Sequence, residues 1–351
     1  QELAEKTGIP VVTTIMGKGA IPTDHPLYVG NIGMHGNMAS NKAIMESDVL
    51  FSIGCRFNDR ITGTIDTFAK NAKIIHVDID AASISRNIKV DIPIVADAKV
   101  AISKMLEYAE PLDIKGWVDD IMNVKAEYPI NMNRYDGVTP EAIIRTINDM
   151  YSNLIVTTDV GQNQLWTTQF LELEGNRQLL TSGGLGTMGY GFPAAIGAKL
   201  GNPDADVFAI SGDGGMQMNI QEFATAVALE IPLTLIVLNN GYLGNVRQWQ
   251  QMLFDRRYSC TCLTYRRSCQ HNCMDPNKKC PKYSPDFVKL AESYDAYGMR
   301  ITDEKDIPKA FEFARSHKNA PTLLEFIIER EANVAPMVPV GNSLDNMIME
   351  I

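Results

Sequence analysis

The sequence predicts an α/β protein built from two doubly wound parallel-sheet domains, on three observations. Short β-branched runs bounded by turn residues alternate with helix-patterned segments along nearly the whole chain. Several of these runs end on Gly, Asp or Asn, as strands do where a parallel sheet meets ligands beyond its carboxyl edge. The 351 residues leave room for two domains, and a 45% hydrophobic content supplies a core for each.

The first series is IPVVTTIM (9–16), VLFSIG (49–54) and KIIHVDID (73–80), each strand-like. Between the first two, NMASNKAIMESD reads as a helix with apolar positions at Met38, Ala43 and Ile44. IPIVADAKVAISKMLEYAE adds a strand, a turn and a closing helix. Over 111–138 the chain turns charged and aperiodic around PLDIKGW and EYPINMNRYDG, the pattern of a linker with some helix inside. A second series opens at TPEAIIRTINDMY, where Thr139 can cap a helix whose first residue is Pro140. NLIVTTDVG, RQLLTSGG, YGFPAAIGAKLG, DVFAISGDG, IQEFATAVALE, IPLTLIVLNNG, PDFVKLAESYDAYG, IPKAFEFARSHK and PTLLEFIIE follow. The expected domains are 1–112 and 139–351, joined by a linker at 113–138.

A net charge of −10 argues against nucleic acid or an anionic membrane surface as the main partner. No apolar run approaches the ~18 residues of a membrane span, and the first residues lack a signal-peptide profile. The opening QELAEKTGIP has no initiator Met and reads as the tail of a helix already under way, so the chain is expected to be a piece of a longer one. Cys55 stands alone, while Cys260, Cys262, Cys269, Cys273 and Cys280 crowd one segment. Without an even disulfide framework, a reducing cytoplasm is the expected compartment.

In AISGDGGMQMN (209–219) an apolar run ends on Asp213 between glycines, where a helix should begin. Alone, Asp-Gly is also an ordinary turn. A partner lies at Asn239-Asn240-Gly241, with 24 residues between Gly214 and Asn239, the length of a helix and a return strand. Consecutive βα turns can then meet at one sheet edge, where Asp213 and Asn240 offer two hard oxygen ligands to one cation. Mg²⁺ suits such a pair, because it binds one or two carboxylates and completes its shell with phosphate and water. LIVTTDVGQNQ ends in Val160, Gly161 and Gln162 at the same kind of edge, and backbone N–H groups there are natural diphosphate donors.

The spacing GDG-x24-NN resembles the thiamine-diphosphate binding motif, and TSGGLGTMGYGFPAAIGAKLG and TDVGQNQLWTTQ look like two further blocks of that superfamily. VVTTIMGKGAIPTDHPLYVGNIGMHG, CRFNDRITG and PMVPVGNSLDNM narrow the resemblance to the catalytic subunits of acetohydroxyacid (acetolactate) synthases, over the whole chain except a segment near 260–282. The resemblance implies a transferase that decarboxylates pyruvate and joins the two-carbon fragment to a second 2-keto acid, pyruvate or 2-ketobutyrate, in branched-chain amino acid biosynthesis. It implies Mg²⁺ bound by the side chains of Asp213 and Asn240 and the carbonyl of Tyr242. Val160, Gly161, Gln162, Gly214, Gly215, Leu243 and Gly244 would surround the cofactor's diphosphate end. The Gly186 carbonyl would hold the aminopyrimidine, and Met188 would prop the bent cofactor between its two rings. Trp249 matches the indole that favours 2-ketobutyrate, a flat apolar wall worth at most ~1–3 kcal/mol against one extra methyl.

Residues 1–110 resemble a central FAD-binding domain, in which Met34, His35, Gly54, Arg56, Arg60, Asp78, Ile79 and Asp97 would line a flavin of structural role. The family further implies a homodimer or homotetramer, with a small regulatory subunit in some members. Its pyrimidine-binding domain, which carries a glutamate for the cofactor ring, would lie before Gln1, so residues 1–351 alone are expected to be nearly inactive. Outside the family pattern, CRFNDRITG reads as a surface loop, Met188 as a core methionine and Trp249 as a half-buried helix residue.

Three positions depart from the pattern: the usual GQH is Gly161-Gln162-Asn163, the flavin loop's double acid is Asn58-Asp59, and LGMV is Leu243-Gly244-Asn245-Val246. The first changes one donor near the diphosphate, and the last leaves acceptor preference open. The segment CTCLTYRRSCQHNCMDPNKKC reads as an insertion covering the site mouth or a subunit contact, with the spacing C-x-C-x6-C-x3-C-x6-C and His271 inside. A zinc site, an iron–sulfur cluster, disulfides and a plain Cys-rich loop all stay open. Two other functions also stay open: another ThDP- or FAD-dependent 2-keto acid enzyme, of the pyruvate oxidase or glyoxylate carboligase type, and a non-catalytic cofactor-binding subunit.

Overall fold

The computed structural model describes residues 1–175, 178–267, 269 and 285–351. It divides into two compact α/β units, the first formed by Gln1–Ile130, Glu172–Asn176 and Val334–Ile351, the second by Asn131–Leu171 and Arg177–Asn333.

In the first unit β1 (Val11–Thr13) pairs in parallel with β2 (Tyr28–Asn31), and β3 (Val49–Ile53), β4 (Lys73–Asp78) and β5 (Ile92–Val95) form a separate parallel sheet in that order. The strand expected over 9–16 is cut short, because Ile15–Gly17 wind into a 3₁₀ turn. The helix expected between the first strands is Met38–Glu46, and its N-cap Asn37 accepts the Ser40 N–H at 2.6 Å. Ala39 and Ala43 on its inner face pack with Val29 and with Ile121 from the helix Lys115–Glu127, so the linker region's helix is part of this core. The closing residues also pack here. Val338 N–H donates to Met34 O at 2.8 Å, and Val338 and Leu344 join the cluster of Phe57, Phe68 and Ile74. The end of the chain, grouped with 139–333 by the sequence reading, thus packs with the first unit because its apolar side chains complete that core.

The second unit is one six-stranded, wholly parallel sheet in the order β10-β11-β9-β8-β6-β7. Its strands are β6 (Leu154–Thr158), β7 (Leu179–Thr181), β8 (Asp206–Gly212), β9 (Thr234–Asn239), β10 (Tyr297–Ile301) and β11 (Thr322–Ile327). The central strands read as unbroken apolar runs because helices cover both faces: Val207–Ile210 and Leu235–Leu238 are at most 2% exposed. The helix Pro140–Met150 starts as expected, with Thr139 Oγ1 accepting the Ala142 N–H at 3.1 Å and Ile143, Ile144 and Ile147 fully buried. Strand β10 has no counterpart in the sequence reading, since YGMRI breaks its apolar run with Gly298 and Arg300 at a sheet edge. Among the described residues, no helix is long and apolar enough to cross a membrane.

Candidate functional site

In the second unit the chain leaves β6 for β7 on one side, then crosses back to β8 on the other. Loops at the carboxyl ends of β6 and β8 therefore part, which opens the crevice where doubly wound sheets take ligands.

Asp159, which the sequence reading passed over, ties these loops together. Its carboxylate accepts the N–H groups of Val160 (2.8 Å), Gly189 (2.8 Å) and Gly191 (3.3 Å). Gly215 lies so close that a Cβ there would sit 2.4 Å from Asp159 Oδ1. Burial raises the Asp159 carboxyl above its ordinary pKa, against the pull of the three N–H donors. The signal was present in TTDVG, an acid at the end of an apolar strand run, as Asp213 is in AISGDGG.

Asp213 is 3% exposed at the start of the single helical turn Asp213–Met216. The turn after β9 reaches it directly: Gly241, at a φ of 72° that glycine adopts freely, donates its N–H to Asp213 Oδ2 at 2.8 Å. Beside it Asn240 is buried, its Oδ1 accepting the Tyr242 N–H (3.0 Å) and its Nδ2 donating to Gln162 Oε1 (3.3 Å). Gln162 is held in turn, since its Nε2 donates to Gln248 Oε1 and Ala332 O, both at 2.9 Å. Gly244 has no room for a side chain, because a Cβ would fall 2.0 Å from Gln162 Oε1. The structure thus brings Asp213, Asn240, Gln162 and Gly244 together as one packed group.

Leu243 N–H donates to Thr261 O (2.8 Å) and Leu263 N–H to Gly241 O (2.9 Å), a short antiparallel bridge facing Tyr242 with Cys262. In such a bridge the main-chain groups of Tyr242 point away from the partner segment, so this pairing leaves its carbonyl free. The residues entering the Cys-rich segment therefore lie along this turn. Leu243, Leu263 and Met188 converge on Gly214, where a Cβ would be 2.6, 3.5 and 3.8 Å from their methyl carbons.

Burial pushes the Asp213 carboxyl up to about 7, against hydrogen bonds from Gly241 and Gly214 and the charge of Arg330, which stacks 4.8 Å from the Tyr242 ring centre. A buried acid so poorly neutralised favours a cation. One carboxylate, one amide oxygen and one peptide carbonyl are hard donors of the kind Mg²⁺ takes while keeping waters and a diphosphate. Val160, Gly161 and Gln162 open the helix Gln162–Phe170, whose first N–H groups suit phosphate oxygens. Asn163, the departure from the family pattern, turns its amide onto the Asp159 and Ile210 carbonyls (2.8 and 3.0 Å). Gly186 sits at a φ of 68° in an open loop beside Leu185, which is 95% exposed. Trp249 is half-buried on the helix Gly244–Leu253, which fully buried Arg247 anchors to the Ala332 carbonyl (3.0 Å) and Asn333 Oδ1 (2.5 Å).

In the first unit, Gly54 follows β3, Asp78 ends β4 with Ile79 after it, and Asp97 follows β5, all at one carboxyl edge. Asp78 Oδ1 accepts the Asp80 N–H at 2.8 Å, Asp97 caps the helix Ala98–Tyr108, and Ile79 is 74% exposed. Arg56 is exposed on the loop after β3. Met34 and Arg60 meet twice, through Met34 N–H to Arg60 O (2.8 Å) and Arg60 Nη1 to Met34 Sδ (3.4 Å). Both ring nitrogens of His35 are buried and make no hydrogen bond of ordinary geometry among the described residues. Burial, then the Arg60 charge, lowers its pKa to about 4, although the nearby Pro336 backbone opposes them. Ile53 and Val95, like Ile79, are exposed at the ends of these strands, an apolar edge open to a ligand.

Cys55, Cys260, Cys262 and Cys269 are free thiols, and no group of three or more His, Cys, Asp and Glu able to hold a metal occurs among the described residues. His271, Cys273 and Cys280 lie outside the described residues, so the choice left open for that segment, among a metal, a cluster, disulfides and a plain loop, lies outside them too.

Residues 1–105 match the family described as thiamine pyrophosphate enzyme, central domain, and residues 159–326 match thiamine pyrophosphate enzyme, C-terminal TPP binding domain. The chain is 42% identical to an acetolactate synthase large subunit of Corynebacterium glutamicum, across 97% of this chain and 53% of that protein. A probable acetolactate synthase large subunit of Methanocaldococcus jannaschii is 44% identical, across 99% of this chain and 58% of its own length. An acetolactate synthase of Mycobacterium avium is 42% identical, across 99% and 55% respectively. The chain spans little more than half the length of these relatives.

Proposed function

Because the chain belongs to the thiamine pyrophosphate enzymes, carrying their central and C-terminal domains with acetolactate synthases as relatives, we propose that it forms acetolactate and acetohydroxybutyrate from 2-keto acids. The observation that carries this reading is the buried, poorly neutralised Asp213 against the Gly241 turn, inside a TPP binding domain.

Bound thiamine diphosphate would supply an electron-sink ring for decarboxylating pyruvate. Asp213, Asn240 and the Tyr242 carbonyl would hold Mg²⁺. The N–H groups of Gly161, Gln162 and Gly215, together with Val160, Gly214, Leu243 and Gly244, would frame the diphosphate. Leu243, Leu263 and Met188, which already meet over Gly214, would exclude water from it, and Met188 would also hold the cofactor bent. The Gly186 carbonyl would take the aminopyrimidine, and Trp249 would wall the acceptor side. FAD would lie along the carboxyl edge of β3–β5, with Met34, His35, Arg56 and Arg60 among its contacts. The exposed Leu185 beside Gly186 supports a second copy of the protein covering the site, in a dimer or tetramer. A small regulatory subunit and a cytoplasmic setting complete the proposal.

The test is acetolactate formed from pyruvate by the protein in its intact reading frame, given thiamine diphosphate, Mg²⁺ and FAD. Acetolactate as the main product supports the reading. Acetyl phosphate formed instead when phosphate and oxygen are supplied, tartronate semialdehyde formed from glyoxylate in place of acetolactate from pyruvate, or no product at all would contradict it.

A further inference from the structure

Glu325 lies in the middle of β11, fully buried, in the otherwise apolar run TLLEFI. A carboxylate in such a place needs partners. Its Oε2 accepts Arg300 Nε at 2.7 Å from the neighbouring position of β10, and Arg300 Nη2 donates onward to Asp286 Oδ1 at 2.5 Å. Its Oε1 accepts Asn239 Nδ2 at 2.7 Å. Asn239 Oδ1 then accepts the Gly241 N–H at 3.1 Å, the same N–H that donates to Asp213 Oδ2. An unbroken chain of hydrogen bonds therefore runs from the cap of the helix Phe287–Ser293 to the Asp213 carboxylate.

We infer that Glu325 is a positioning residue for the cation site: through Asn239 it fixes the turn Asn239–Gly241–Tyr242 that presents Asn240 and the Tyr242 carbonyl beside Asp213. This rests on the Mg²⁺ reading of that site and extends it to a residue that touches neither metal nor cofactor. The direction of the Asn239 amide is what Glu325 settles. A carboxylate accepts at both oxygens, so Asn239 must donate to it and is left with its carbonyl oxygen for Gly241. A glutamine at 325 has one acceptor for two donors. The charged Arg300 takes it as the stronger partner. The Asn239 amide then turns over to accept from the glutamine's own NH2, which takes its carbonyl oxygen from the Gly241 N–H, or keeps its orientation without the bond that held it there. Asp286 and Arg300 hold the far end of the chain.

The test uses the protein in its intact reading frame, with Mn²⁺ binding read by electron paramagnetic resonance at saturating thiamine diphosphate and thermal unfolding read without metal. Glu325→Gln is expected to weaken Mn²⁺ by about 10- to 100-fold, the usual range for an outer partner of a metal ligand. Thiamine diphosphate binding should return to the unaltered level once Mn²⁺ is raised to saturation. Asn239→Ala should give the same loss, and the double variant no more than either single one, because all cut one chain. Mn²⁺ affinity unchanged in Glu325→Gln, or additive losses in the double variant, would overturn the inference and leave Glu325 a structural partner of Arg300. Asp213→Ala separates this from the parent reading. If it binds Mn²⁺ as the unaltered protein does, the metal site itself is misplaced and the inference falls with it. If it loses Mn²⁺ while Glu325→Gln keeps it, the inference alone fails.

Discussion

The main-chain N–H of Gly241 donates to Asp213 Oδ2 at 2.8 Å, so the turn after β9 and the turn after β8 are joined at a buried acid. Residues far apart in sequence thereby meet at the proposed cation seat, and its surroundings can be tested piece by piece.

Gly244 is the position with least room. Gly244→Ala places a methyl 2.0 Å from Gln162 Oε1 and 2.8 Å from Asn240 Nδ2. Gln162 must swing away and release Asn240. The expected outcome is a stability loss of about 1–3 kcal/mol for overpacking, with weaker Mg²⁺ binding in titration calorimetry.

Asp159 serves three N–H groups at once. Asp159→Ala leaves them without acceptors inside the protein, at about 1–3 kcal/mol for each group left unsatisfied. Asp159→Asn keeps one acceptor oxygen and should be the milder change. Urea denaturation of both variants checks the order, and the loop carrying Gly186 and Met188 should become protease-sensitive first in the alanine variant.

In the proposed reading Trp249 bears on substrate choice. Trp249→Leu should lower the preference for 2-ketobutyrate over pyruvate by about 10-fold or more, the scale of one methyl group against an apolar wall. Competition between the two acceptors, read as the ratio of acetohydroxybutyrate to acetolactate, measures it. An unchanged ratio would remove Trp249 from the acceptor site.

His35 gives a pH signature. Its folded-state pKa of about 4 lies below the ordinary 6.5, so the unfolded chain binds more protons between these values. Its contribution is fully present above pH 6.5 and is lost as pH falls toward 4, by ~3 kcal/mol at about 1.4 kcal/mol per unit. His35→Gln should remove that part of the acid sensitivity, seen as a smaller fall in unfolding temperature between pH 7 and pH 4 without FAD.

What the sequence made legible was the part written in local pattern. The runs ending in Gly212-Asp213-Gly214 and Asn239-Asn240-Gly241 are strands followed by turns because buried parallel strands are apolar throughout and polar only where they stop. Thr139 and Pro140 opened a helix by the same local logic. β10 escaped because Gly298 and Arg300 interrupt its pattern, and Arg300 is tolerated there because Glu325 stands opposite it on β11 and Asp286 takes its Nη2. Asp159 and Glu325 escaped because a carboxylate's part depends on which N–H groups face it in space, and those come from residues 30 and 86 positions away. A lone acid inside an apolar strand, as in TLLEFI, is the trace such a residue leaves in sequence.

Calorimetric titration of thiamine diphosphate into the protein, with and without Mg²⁺ and in the unaltered and Asp213→Asn forms, tests the central claim most directly. Binding that requires Mg²⁺ in the unaltered protein and is lost in Asp213→Asn is the expected result. Binding indifferent to Mg²⁺, or equally tight in Asp213→Asn, would contradict a metal-bridged diphosphate at the Asp213–Gly241 turn.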